Sequence, residues 1–205
     1  LVGSEMCIRD RMQRDFYGFF VCNDVKRRET VYRSERRNDR KDDRVIENAC
    51  IDSFEEERRF IILSGTGGMG KSMMMTHFML DTIDRNKETG KVPVFVLLRD
   101  YNPAAGDLID FIFGELKRHD VDLHLSDLVE LLQSGKGVIL FDGLDEIKSE
   151  NCRRFYKEME NLADSYPEAS YIVSSRPTMN FRGLSRFTVY DLQPFSQEQA
   201  VEMVG

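Results

Sequence analysis

The chain has 205 residues, 41% hydrophobic and 32% charged, with a formal charge of -7. That length holds one α/β domain with a sizeable core plus an extension, and excludes two full domains. The acidic balance argues against nonspecific nucleic-acid binding as the main activity, and no apolar stretch is long enough to span a bilayer.

Residues 1–11, LVGSEMCIRDR, lack the apolar core of a signal peptide. They resemble translated sequencing-adaptor read-through, in which case the native N-terminus is missing and Cys7 carries no meaning. Residues 12–53 read as an N-terminal extension. It holds an aromatic run over 16–21 and a charged run over 26–44, which reads as a solvated loop or exposed helix face, with a phosphate or partner contact as the alternative. Over 45–59, Val45, Ile46, Cys50, Ile51 and Phe54 fall at helix-like intervals and predict a helical lead-in. Cys7, Cys22, Cys50 and Cys152 are dispersed, with no CxxC pair or His at zinc spacing, and read as reduced cytosolic thiols.

Residues 60–72, FIILSGTGGMGKS, run from a short apolar stretch into a loop that fits GxxxxGK[ST] at Gly65, Gly70, Lys71 and Ser72. Gly65, Gly67, Gly68 and Gly70 let the backbone curl until successive N–H groups face a phosphate oxygen, with Thr66 and Met69 completing the loop. The helix that follows adds its unpaired first-turn N–H groups. Lys71 is expected on the β- and γ-phosphates and the Ser72 hydroxyl on Mg²⁺. These residues point to a bound nucleoside triphosphate.

A helix is predicted over 71–83, with Met74, Met75, Phe78 and Met79 as core filler and His77 as a packed or surface imidazole. Strands follow at 92–98, 138–141, 171–174 and 187–189, and helices at 108–116, 125–132 and 152–162. The strand at 92–98 suits burial on both faces. Ser196 opens a last helix with Gln199 as its capping-box partner. Alternating strands and helices imply an α/β fold with a mostly parallel sheet covered on both faces.

VILFDGLDEI, residues 138–147, puts Asp142 at the carboxyl end of a buried strand, where ligands bind in open α/β sheets. On a strand adjacent to the phosphate loop, Asp142 would hold Mg²⁺ through its waters. Asp145 and Glu146 follow within a turn, and the repulsion of three close acids calls for a cation. An acid left free of that metal would orient or deprotonate the attacking water. YIVSSRP, residues 171–177, carries Arg176 at another strand end, where its guanidinium fork suits a γ-phosphate oxygen.

Taken in order, GTGGMGKS, FDGLDE, SSRP and DLQPFSQEQA resemble the NACHT domain of the STAND class of P-loop NTPases. The resemblance implies a three-layer fold with a five-stranded sheet of AAA-like order 5-1-4-3-2 and a core over 54–192. It also implies ATP or ADP with Mg²⁺, Lys71 and Ser72 on phosphate and metal, Asp142 on metal, Asp145 or Glu146 for hydrolysis, and Arg176 as sensor 1. Ordinary AAA proteins place a Glu directly after the metal-binding Asp, but Gly143 stands there. Residues 193–205 would begin a helical segment cut short, leaving the nucleotide lock and repeat sensor outside the chain and the effector unnamed. The function implied is a slowly hydrolysing cytoplasmic switch for innate or antiviral defence that assembles into a homo-oligomer in its full-length ATP state. A general P-loop ATPase or phosphotransferase, and a nucleotide-bound scaffold, are the alternatives.

Overall fold

The structure, a computed structural model, describes residues 13–28, 45–54, 59–101, 103, 106–118 and 122–204. The readings for residues 1–11 and for most of the charged run lie outside these. The strands are β1 (Val25–Arg27), β2 (Val45–Ile46), β3 (Phe60–Ser64), β4 (Val92–Leu97), β5 (Gly137–Asp142), β6 (Ser170–Ser175) and β7 (Thr188–Leu192). The helices are α1 (Lys71–Asp84), α2 (Asn86–Thr89), α3 (Leu108–Lys117), α4 (Leu125–Gln133), α5 (Ser149–Ser165) and α6 (Gln197–Val204).

One mixed sheet runs β2-β1-β7-β3-β6-β5-β4. β3 to β7 are parallel, whereas β1 pairs antiparallel with both β7 and β2. The sheet therefore has seven strands, not the five expected. The two additions come from segments read otherwise: β1 runs from Val25 into the start of the charged run, and β2 lies in the stretch read as helix. Val45 and Ile46 are β-branched and find partners in Lys26 and Val25. Asn48 then takes a positive φ of 48°, and among the described residues of this stretch the 3₁₀ turn Ile51–Ser53 follows. Pairing with β1 has overridden the apparent helical period.

Alternate residues of the central strands enter opposite cores, as a pleated strand requires. Ile62, Ile139, Phe141, Tyr171, Val173 and Val189 face α3, α4 and α5. Ile61, Leu63, Val138, Leu140, Ile172 and Tyr190 face Met74, Met75 and Phe78 of α1. Burying each of those three α1 side chains contributes about 1.5–3 kcal/mol, more than a cap supplies. This fits a helix whose N-cap, Gly70, offers no side-chain bond. β4 closes the sheet as an edge strand with alternating burial, so the reading of it as buried on both faces is corrected.

The N-terminal segment packs along α1. Phe20 stacks on His77 at 4.9 Å, and Tyr17 Oη lies 3.1 Å from His77 Nδ1. At the other end of the chain, the Ser196 N–H donates to Gln199 Oε1 and the Gln199 N–H to Ser196 Oγ, forming the expected capping box. Gln199 Nε2 also donates to Cys22 O at 3.0 Å and to Asp24 Oδ1 at 3.3 Å. Among the described residues no helix is long and apolar enough to cross a membrane.

Candidate functional site

The carboxyl ends of the parallel strands gather the chemistry. β3 delivers the glycine loop, and the Gly65 N–H donates to Ser175 O at the end of β6, so the loop begins beside Arg176. Gly70 closes the loop at φ +85°, left-handed backbone that an L side chain rarely adopts, and a Cβ there would meet Asn23 Oδ1 at 3.2 Å. The first intrahelical bond of α1 runs from the Met74 N–H to Gly70 O. The N–H groups ahead of Met74 precede that ladder and are the first-turn donors that suit an anion.

Lys71 Nζ donates to Gly65 O at 2.9 Å and Thr66 O at 3.1 Å, which holds the ammonium against the loop's own carbonyls. Thr66, Gly67, Gly68 and Ser72 are exposed, while Met69 is half-buried against the core on the α1 side. A Cβ on Gly67 or Gly68 would meet nothing within 4 Å. The loop thus presents open backbone, a fixed cation and an exposed hydroxyl, a donor set that fits a magnesium-bound polyphosphate.

The acids do not converge on one ion. Ser174, fully buried, donates to Asp142 Oδ1 and accepts the Gly143 N–H at 2.8 Å. Asp145 accepts the Arg176 backbone N–H on Oδ1 at 3.0 Å and Arg176 Nε on Oδ2 at 2.9 Å. Glu146 is exposed, its side chain folded toward Gly143. Among the described residues no group of three or more His, Cys, Asp or Glu is placed to hold a metal ion. An ion at Asp142 and Ser72 would complete its shell from phosphate and water oxygens. Arg176 supplies compensating charge to Asp145. One placement is also corrected: β6 lies between β3 and β5, so Asp142 is not on a strand adjacent to the loop strand.

Three neighbours of the site went unread in the sequence. Ser174 could have been found, because a buried hydroxyl in an apolar strand needs a partner. Arg28 sits in the charged run, which reads mainly as solvated. It donates through Nε to Asp191 Oδ2 at 2.8 Å, through Nη2 to Asp191 Oδ1, and through Nη2 to Ser64 Oγ at 2.8 Å. Asn23, buried, donates Nδ2 to Gln193 O at 3.2 Å and lies against Gly70.

The NACHT domain model matches residues 59–205. No curated protein matches the chain. Among solved structures, the C. elegans PCH-2 structure aligns with a TM-score of 0.44 and 17% identity, over 69% of this chain and 37% of that one. The family match covers most of the chain and includes the glycine loop, the acidic turn and the arginine. The chain belongs to the NACHT family, and this is a nucleotide-binding P-loop NTPase domain of the STAND class.

Proposed function

We propose that the domain is a cytoplasmic signalling switch of innate or antiviral defence. It binds ATP or ADP with Mg²⁺, hydrolyses ATP slowly, and assembles as a homo-oligomer in the ATP state of the full protein. In this reading β3 to β7 form the AAA-like 5-1-4-3-2 core, and β1 and β2 are an added edge.

The loop N–H groups and Lys71 hold the phosphates, Ser72 and Asp142 hold the metal, and Asp145, Glu146 and Arg176 line the γ-phosphate side. A Mg²⁺ ion held by Ser72 and Asp142 would supply neutralising charge to the phosphates. Ser174 keeps Asp142 pointed by taking Oδ1, which leaves Oδ2 for that role. The observation that carries the switch is the bond from the Gly65 N–H to Ser175 O, which sets Arg176 beside the loop that cradles the phosphates. A ligand shifts an equilibrium only by its differential affinity for two states, and a contact with the γ-phosphate distinguishes ATP from ADP.

The test compares ATP and ADP binding, and particle size, for wild type, Lys71→Ala and Arg176→Ala in the protein encoded by the full reading frame. Lys71→Ala should lose both nucleotides. Arg176→Ala should keep ADP and fail to assemble with ATP. Equal assembly of all three with ATP sinks the switch.

A further inference from the structure

The acidic turn and the end of β6 are joined at two points, and the second divides the labour among the acids. Asp145 is 13% exposed in its side chain, and Arg176 is 60% exposed. Both oxygens of the less exposed partner face donors of the same residue, one main-chain and one guanidinium. Pro177 has no N–H, so the Arg176 N–H is the last such donor before the chain turns away, and Asp145 takes it. Nε is the inner donor of the fork. Fixing it removes rotamer freedom from a long side chain and leaves Nη1 and Nη2, which among the described residues donate to no partner, for a ligand.

A carboxylate with one oxygen on a guanidinium and the other on a main-chain N–H is poorly placed to take a proton from water. Glu146 is exposed and makes no such pair among the described residues. Its room comes from Gly143, at φ +87°, where a Cβ would sit 3.1 Å from Glu146 Cδ.

We propose that Asp145 is a positioning residue that aims Arg176 at the γ-phosphate, leaving proton transfer to Glu146. The inference rests on the nucleotide reading above. In the step itself the water oxygen bonds to the γ-phosphorus as the bond to the bridging oxygen breaks. The water's proton passes to the Glu146 carboxylate, and ADP leaves with the bridging electron pair.

Displacement of a fluorescent ADP analogue by ATP and by ADP, with single-turnover hydrolysis, separates the roles. Asp145→Asn and Arg176→Ala should each lower the ratio of ATP to ADP affinity by about tenfold, the scale of one charge-assisted hydrogen bond, with ADP affinity unchanged. Their combination should lower it no further. Glu146→Gln should keep the wild-type ratio and lose turnover. A wild-type ratio in Asp145→Asn, with turnover lost as in Glu146→Gln, overturns the assignment. Should Asp145→Asn not fold, Arg176→Lys keeps the charge but loses the Nε fork and must show the same drop; a wild-type ratio there also overturns it. Wild type that binds neither nucleotide removes the nucleotide reading itself, a distinct result.

Discussion

Arg28 grips both carboxylate oxygens of Asp191 and, through the same Nη2, the hydroxyl of Ser64, the residue directly before the glycine loop. The two charged side chains are about one-third exposed, whereas Ser64 is fully buried. Screening limits the ion pair to about 1 kcal/mol. Leaving Ser64 without its partner adds a penalty on the order of 1–3 kcal/mol. Arg28→Met should therefore lower the unfolding midpoint by several degrees, at about 2–4 °C per kcal/mol for a domain of this size. A double-mutant cycle with Asp191→Asn should recover about 1 kcal/mol of coupling. No shift in calorimetry would mean that the contact is incidental.

Ser174 has one proton and sits between an N–H donor and a carboxylate, so its hydroxyl must donate to Asp142. Ser174→Ala strands both groups and should cost roughly 1–3 kcal/mol. It should also raise the Mg²⁺ concentration needed for half-maximal nucleotide binding. Magnesium titration followed by nucleotide fluorescence reads this directly. An unchanged magnesium requirement would separate Ser174 from Asp142.

The loop glycines differ in what they tolerate. Gly67→Ala places a methyl in open space and should leave the thermal midpoint within about 1 °C, while crowding the face that meets phosphate. Gly70→Ala asks an L residue to hold a left-handed φ and pushes toward Asn23, and should destabilise by about 1–2 kcal/mol. Calorimetry without nucleotide and binding by fluorescence distinguish the two. Equal destabilisation would contradict the geometry.

Burial pushes the His77 imidazole below its ordinary pKa of 6.5, against the opposing pull of Asp81. Burial also pushes the Tyr17 phenol up to about 12, so the hydroxyl facing Nδ1 stays protonated and can donate. Because the folded value is depressed, the unfolded chain takes up the proton first as pH falls. The contribution of His77 to stability is complete above 6.5 and is lost on acidification toward the folded value. Its slope is at most about 1.4 kcal/mol per pH unit. Denaturant melts from pH 7.5 to 5 should show a shallower acid loss in His77→Phe than in wild type. Superimposable profiles would assign the acid loss to other groups.

The parallel strands and their helices were readable because each carries a strong local period and a burial pattern that tertiary contacts reinforce. Met74, Met75 and Phe78 went to the core as their spacing on α1 indicates. The capping box at Ser196 and Gln199 formed as written. β1 and β2 escaped notice because two or three residues hold no period: β1 pairs with β7, far away in sequence, and β2 pairs in turn with β1. Among the candidate site residues, types and spacing identified the loop and the acids. They could not say which acid meets which base, because the Asp145–Arg176 pair depends on β5 and β6 being neighbours.

The hydrogen bonds from Gln199 to Cys22 and Asp24 give the fold a load path. Tension applied between residues 22 and 199 is borne first by that short seam, before it reaches the parallel strands. The glycine loop lies alongside the seam, touching it through Asn23 at Gly70. Asn23 itself is held by its Nδ2 bond to Gln193 O, and Asp24 by the Gln193 N–H, so the seam and the contact at Gly70 share the same short stretch of chain.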